Sequence, residues 1–159
     1  MSHAGTVSRQ TVTVAGVWTG KRGLDINPKA DGPEKQAFIE HIECQPIDAQ
    51  TNGPQLFYGL RYHTRIVKPD DVETFHDQVG YWLWEPATGN IIQTLTIPRG
   101  QTAMATGKAT ADATSFTLRA ERGSTVNGIS SKRTCNICCC VSLWPCTWTA
   151  ACVVVCLSS

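Results

Sequence analysis

One short segment brings together three side chains that could bind a ligand. Residues 76–84 have the sequence HDQVGYWLW, and the alternation of a β-strand places His76, Trp82 and Trp84 on the same side of it. A histidine can hold a metal or exchange a proton, and indole rings can cover flat apolar molecules. The spacing therefore predicts a pocket wall in which His76, Trp82 and Trp84 face one common cavity.

Other kinds of chemistry have no residues at suitable spacing. The sequence contains no pair of carboxylates placed for acid–base work, no Ser/His/Asp set and no glycine-rich phosphate loop. Cys135 and Cys138 form a single CxxC pair, whereas structural zinc sites add a second pair or histidines. From these patterns we predict no catalytic residues and no metal site.

The segment that carries the three side chains is predicted to be a β-hairpin. Two runs rich in aromatic and branched residues, 76–84 and 91–97, flank residues 85–90 (EPATGN), which are typical of a chain reversal. Both sides of the first run are apolar, which favours a strand that is covered on both faces. We therefore expect this hairpin to separate packed side chains from an interior cavity.

The rest of the chain up to residue 131 shows the same pattern of short strands and turns. No amphipathic helix of convincing length and no internal repeat is present in the sequence. These features favour an all-β fold, either a sandwich or an up-and-down barrel. Besides the hairpin, we predict a β-prone run over 11–15 that leads into a strand over 16–23, and further strands over 36–47, 56–67, 102–108 and 115–120. We also predict a loop over 24–35, a break at Pro46 and a turn over 48–54 that contains the Asn52-Gly53 signal.

Length and charge limit the classes of function. The 159 residues suffice for one domain with a sizeable core. Lys and Arg number 14 against 13 Asp and Glu, and no basic run is present, so the charge pattern of a nucleic-acid-binding protein is missing. Residues 1–10, predicted to be a disordered start, lack the apolar segment of a signal peptide. The expected location is therefore cytoplasmic.

Two glycine-containing motifs resemble those of a known family. The sequence has Gly16-x-Trp18-x-Gly20 near its start and His76-x-x-x-Gly80-Tyr81 within the hairpin. Together they are similar to motifs of the nitrobindin-like heme-binding β-barrels, which resemble fatty-acid-binding proteins and lipocalins in shape (calycin-type barrels). The resemblance covers roughly Thr11 to Ser130, although the family's third glycine is replaced by Arg22, with Gly23 one residue late. Between its glycines, Trp18 is expected to pack under one end of the barrel.

The resemblance implies an up-and-down antiparallel β-barrel over residues 11–131 that encloses one small ligand. It implies heme b as cofactor, with a proximal histidine near the C-terminus holding the iron and His76 lying beside the heme. Nitric oxide binding and peroxynitrite isomerisation, which the family is associated with, depend on that iron. The last histidine of this sequence is His76, so the implied iron ligand is missing and enzymatic activity is left open. A carrier of fatty acid or another apolar small molecule is the alternative.

The end of the chain, residues 132–159, differs sharply in composition. Residues 134–159 contain no charged residue and no histidine, but they include seven of the eight cysteines. We favour non-native sequence, such as the product of a frame shift, which would leave the barrel incomplete at its C-terminus. The second choice is a membrane-spanning segment over 134–157, flanked by Lys132-Arg133. Such a segment would anchor the barrel to a membrane. A metal site and disulfides are weaker alternatives.

Overall fold

Every element that the computed structural model describes is a β-strand, which confirms the all-β prediction. The structure describes residues 14–27, 29–69, 73–113, 116–131, 141–142 and 153–158. Its strands are β1 (Gly16–Asn27), β2 (Glu34–Asn52), β3 (Gln55–Val67), β4 (Thr74–Glu85), β5 (Asn90–Ile97), β6 (Gln101–Lys108), β7 (Phe116–Arg122), β8 (Gly128–Ser131), β9 (Val141–Ser142) and β10 (Val153–Ser158).

All the strands belong to one sheet, in which the first six follow chain order. The order is β1-β2-β3-β4-β5-β6-β8-β7-β10-β9, and each pair of neighbours from β1 to β6 is antiparallel. At the other end, β8 and β10 pair with β7 in parallel. Among the described residues no pairing joins β1 to that end of the sheet. The molecule is thus an up-and-down barrel that remains open, as predicted.

The predicted hairpin is formed by β4 and β5. The two strands are paired as far as Glu85 and Asn90, and Gly89 in the turn between them has a φ of 70°. The Thr88 hydroxyl donates to the Glu85 carboxylate. The side-chain amide nitrogen of Asn90 donates to the same carboxylate at 2.9 Å. These hydrogen bonds hold the pKa of Glu85 below its ordinary value. The turn is therefore fixed around an ionised carboxylate.

Three predicted boundaries in the first part of the sheet are wrong. The turn expected over 48–54 is confined to its end, because β2 continues to Asn52. The expected loop over 24–35 is shorter, because β1 continues to Asn27 and β2 begins at Glu34, where these two residues pair. The expected break at Pro46 does not occur, since β2 runs through it. Within the described chain, β1 accompanies β2 only as far as the pair Gly16–Cys44, so Pro46 lies where only β3 is a neighbour. A proline is tolerated at such an edge.

The core lies on one side of the sheet, called here the inner face and defined by His76, Gln78, Trp82 and Trp84. On the outer face, Val79 and Tyr81 are 45% and 43% exposed, so the prediction that both faces of the hairpin are covered is wrong. A single sheet has no second layer to cover its outer face, and isolated exposed apolar residues are common. The inner face carries two buried clusters, one of Ile91, Ala105, Ala109, Leu118 and Ala120, the other of Cys44, Leu60, Tyr62, Leu95, Ile97 and Ala103.

Candidate ligand-binding site

The pairing register places the three predicted ligand-binding side chains on one face. Trp82 lies opposite Leu60 on β3 and opposite Gln93 on β5. Trp84 and His76 are separated from Trp82 by even numbers of residues along the same strand, so they project to the same side. His76, Trp82 and Trp84 therefore share the inner face. That they line a common cavity stays a prediction.

The two indole rings form an apolar wall that joins β4 to β7. The Trp82 ring lies 6.1 Å from the Tyr62 ring and 6.1 Å from the Phe116 ring, measured between centroids. Such separations are typical of attractive aromatic pairs. The indole N–H of Trp84 donates to the Ala109 carbonyl oxygen at 3.1 Å. The single polar atom of Trp84 is thus satisfied within the protein, and the rest of its ring is apolar surface.

A buried hydrogen-bond network centred on Tyr62 lies beside this wall. The Tyr62 hydroxyl donates to the Thr94 carbonyl oxygen at 3.0 Å. It accepts hydrogen bonds from Nε2 of Gln78 at 2.7 Å and from Nε2 of Gln93 at 3.4 Å. A hydroxyl has one proton and two lone pairs, so its bonding capacity is used completely. Because Tyr62 and Gln78 are each 3% exposed and Gln93 is 2% exposed, the network is shielded from water.

In this environment the Tyr62 phenol is expected to ionise only at high pH. Burial raises the pKa of its phenol to about 12, although the hydrogen bonds from the two glutamines lower it. The unfolded chain releases this proton at a lower pH, so the corresponding stability is present below pH about 10 and is lost as the pH rises through 12. In an ultraviolet titration we expect a phenolate step near pH 12 that is missing from Tyr62→Phe. If the substitution instead removed a step near pH 10, the burial of this phenol would be contradicted.

Both ring nitrogens of His76 are already engaged. Nε2 lies 3.4 Å from the Gln78 side-chain oxygen, and Nδ1 lies 3.4 Å from a guanidinium nitrogen of Arg99. Burial lowers the pKa of His76, and the Arg99 charge lowers it further, whereas the hydrogen bond to Gln78 and the nearby Asp77 and Asp25 raise it. The net direction is downward, so the site favours a neutral imidazole.

Gly80 and Tyr81, the end of the second motif, have different roles. The Tyr62 side chain crosses β4 at Gly80 to reach Thr94 on β5. A methyl group at Gly80 would overlap the Thr94 carbonyl oxygen and lie 3.0 Å from the Tyr62 ring. Tyr81 projects to the outer face, and its backbone N–H donates to the Thr94 hydroxyl at 3.0 Å. Gly80 is thus required for the network, and Tyr81 does not contribute its ring to the inner face.

The first motif lies at the open edge of the sheet. Trp18 lies opposite Ile42, and its indole N–H donates to the Val14 carbonyl oxygen at 3.1 Å. Its ring is 40% exposed, so the expectation that Trp18 packs under the barrel is wrong. The reason is that β1 has only β2 as a neighbour in the described part of the chain. Gly16 has a φ of 135°, which favours glycine. Gly20 is under no steric requirement, because a methyl group there would meet no atom within 4 Å.

The described side chains of the inner face offer aromatic surface but no ligand for the iron of a heme. An axial ligand is a free imidazole nitrogen, a thiolate, a phenolate or a thioether. Burial and the neighbouring Glu43 raise the pKa of Cys44 to about 11, and burial keeps the Tyr62 phenol protonated. His76 has both nitrogens engaged, and the sequence has no later histidine. The described residues also contain no group of three His, Cys, Asp or Glu side chains that could hold a metal ion. These residues therefore do not fit the iron.

Two open grooves lie elsewhere on the described surface. One, of about 370 Å³, is lined by Pro46 and Arg61 among others, and the other, of about 300 Å³, by Met104 and Ile129 among others. Neither groove includes His76, Trp82 or Trp84. The aromatic side chains of the inner face instead pack on one another, so a ligand would have to replace part of these contacts.

Most of the cysteine-rich tail lies outside the described residues. From 132 onward the structure describes only 141–142 and 153–158, where β10 pairs in parallel with β7 and antiparallel with β9. Among the described residues, no helix has the length and apolar character needed to cross a membrane. The four interpretations of the tail stay predictions, as do the domain limits at residues 11 and 131.

Sequence reasoning missed the polar part of the inner face. Tyr62 and Gln93 are 31 residues apart in the chain, and only the register of three strands brings them together. One signal could have found Gln93, because it is the polar exception among the inward positions of β5, where its neighbours are Ile91, Leu95 and Ile97. Arg99 lies in the turn between β5 and β6, where nothing in the sequence links it to His76.

Comparison with known families supports the interpretation of the two motifs. The family described as THAP4-like, heme-binding beta-barrel domain matches residues 10–139. Among curated proteins and among solved structures there is no significant match to this chain. The matched region includes both glycine motifs and all strands from β1 to β8. The chain therefore belongs to the THAP4-like, heme-binding beta-barrel domain family, which is the nitrobindin-like family that its motifs resemble.

Proposed function

We propose that the inner face binds one small, flat and largely apolar molecule of the heme class, and that burial rather than iron coordination holds it. The observation that carries this proposal is the indole wall of Trp82 and Trp84, next to which the indole N–H of Trp84 and the hydroxyl of Tyr62 already have their hydrogen-bond partners. Apolar walls with few polar groups are typical of small-molecule sites. The family description, heme-binding, supports the class of ligand.

The same observations argue for a binding protein without iron-dependent catalysis. Heme iron supplies its chemistry only where the protein holds it through an axial ligand. Cys44, Tyr62 and His76 do not offer such a ligand in their present states. We therefore do not assign peroxynitrite isomerisation to this chain. Its residues instead bury the ligand and exclude water from it.

A carrier of fatty acid or another apolar small molecule is the second candidate. It is favoured by the lack of an available iron ligand on the described inner face. In that case His76 and Arg99, whose side chains lie 3.4 Å apart, would be the polar groups available to the carboxylate. The first candidate is preferred because the family description names heme.

A comparison of two porphyrins tests the proposal. The protein is titrated with hemin and with metal-free protoporphyrin IX, and binding is followed by Soret absorbance and tryptophan quenching. If burial dominates, the two dissociation constants agree within about threefold, which is under 1 kcal/mol. The hemin complex should then lack the spectrum of a six-coordinate histidine-ligated heme. Competition with a fluorescent fatty acid tests the carrier alternative, which predicts displacement by fatty acid but weak binding of both porphyrins.

His76→Gln is the matched control for this experiment. It keeps a polar side chain on the inner face but removes the only inner-face imidazole of the described chain. We expect it to leave the affinity for hemin unchanged. Hemin that bound more than about tenfold more tightly than protoporphyrin, and lost this advantage in the variant, would show that His76 coordinates iron.

We propose a cytoplasmic location for the protein, with membrane attachment through residues 134–157 as the alternative. Detergent partitioning of the full chain distinguishes the two, because only an anchored form would enter the detergent phase.

A further inference from the structure

The hydrogen bonds around Tyr62 fix the direction of a neighbouring amide. A backbone carbonyl can only accept, so the proton of the Tyr62 hydroxyl must point to the Thr94 oxygen, 3.0 Å away. The lone pairs of the hydroxyl then have to receive donors, and the closest donor is Gln78 at 2.7 Å. The nitrogen of the Gln78 amide therefore faces Tyr62, and its oxygen faces His76.

The direction of the amide in turn fixes the protons of His76. Since the Gln78 oxygen is an acceptor, Nε2 of His76 must carry the proton that it receives. A neutral imidazole has only one such proton, so Nδ1 carries the lone pair, which faces the guanidinium donor of Arg99. Both contacts are 3.4 Å long, so they orient the ring more than they hold it.

We propose that Tyr62 is a positioning residue of the ligand site, which acts through Gln78 to fix the ring orientation and the tautomer of His76. The proposal rests on the proposed function in that His76 lies beside the bound ligand. It does not depend on what that ligand is. The lone pair at Nδ1 of His76 is thus directed at the guanidinium of Arg99.

Gln93 supplies a natural comparison within the same network. Its Nε2 donates to the same hydroxyl at 3.4 Å, but its Oε1 has no donor among the described residues. Turning the amide round would not help, because Tyr62 has already given its only proton to Thr94. Gln93 is as deeply buried as Gln78, yet no hydrogen bond in the described structure links it to His76. A change at Gln93 therefore disturbs Tyr62 without touching His76.

The test is an NMR measurement on the ligand-free, full-length protein labelled with ¹⁵N-histidine. His76 is assigned from His76→Gln, and long-range ¹⁵N–¹H spectra are recorded across its titration. We expect a neutral ring protonated at Nε2, with an N–H signal protected from exchange. Gln78→Leu and Tyr62→Phe should lose that protected signal and shift the pKa of His76 further down, because the hydrogen bond to Gln78 raises it. Gln93→Leu should retain both features.

Two outcomes would overturn the proposal. One is a neutral His76 protonated at Nδ1 in the parent protein, and the other is an unchanged His76 signal in Gln78→Leu or in a folded Tyr62→Phe. If Tyr62→Phe fails to fold, the pair Gln78→Leu and Gln93→Leu decides alone. Because no ligand is present, the result is independent of the porphyrin titration. A protein with the expected His76 spectrum that binds neither porphyrin would refute the proposed function and leave this inference intact.

Discussion

Replacing Gly80 by alanine is expected to lower the free energy of unfolding by about 1–3 kcal/mol or more, as overpacking does in other cores. The added methyl group would overlap the Thr94 carbonyl oxygen, which belongs to the neighbouring strand and cannot move like a flexible side chain. It would also press on the Tyr62 ring, whose hydroxyl donates to that same oxygen. The substitution should therefore disturb the pairing of β4 with β5 and the buried network together. Urea unfolding followed by tryptophan fluorescence measures the loss.

Gly20→Ala is the matched control, because both glycines belong to the family motifs. A methyl group at Gly20 would meet no atom within 4 Å, and its backbone is not in the left-handed region. Such a change typically leaves stability unchanged or raises it by about 0.4–1 kcal/mol, since the unfolded chain loses freedom. Equal destabilisation by the two substitutions would contradict the close approach described at Gly80.

Trp82→Ala is expected to cost about 3 kcal/mol, the lower end of the range for large-to-small aromatic changes in cores. The ring packs against both buried clusters of the inner face, so its loss opens a space between them. For a chain of this size the melting midpoint should fall by about 6–12 °C. Calorimetry or circular dichroism during heating measures this shift.

Trp18→Ala removes the same side chain from the open edge of the sheet. Its ring is 40% exposed, so we expect a cost below about 1 kcal/mol, as for other surface substitutions. This expectation reverses the one based on the sequence, in which Trp18 filled the end of a closed barrel. A midpoint that fell equally in both variants would indicate that β1 is covered in solution.

The central hairpin could be predicted from the sequence because residues that are close together in the chain determine it. Two runs of aromatic and branched residues and the turn formers at 85–90 define the hairpin of β4 and β5 without any distant contact. The Asn-Gly signal marked the next reversal for the same reason, since Gly53 adopts a φ of 58°, although the turn predicted over 48–54 was too long. The shared face of His76, Trp82 and Trp84 follows directly from strand periodicity.

The parts that could not be predicted depend on long-range pairing. The exposure of Trp18 follows from which strands flank β1, and nothing in residues 16–20 contains that information. The length of β1 was missed because the turn-forming residues between 24 and 35 predict a loop. The pairing with β2 that extends the strand cannot be seen in the local sequence. The buried contact of Tyr62 with Gln93 requires the registers of β3, β4 and β5 at once. The family resemblance gave His76 its place beside a ligand, but it gave no account of what orients the ring.

The sequential order of the first six strands has a consequence for how the chain folds. Each pairing from β1 to β6 joins neighbours in sequence, and the turn between β4 and β5 spans only residues 86–89. The parallel pairing of β7 with β10 must instead close a segment of 30 residues, 123–152. Because each doubling of a loop costs about 0.6 kcal/mol in entropy, that closure costs roughly 2 kcal/mol more than the hairpin turn. The meander can therefore form by successive zipping from its central hairpin, and the tail adds to a sheet that already exists.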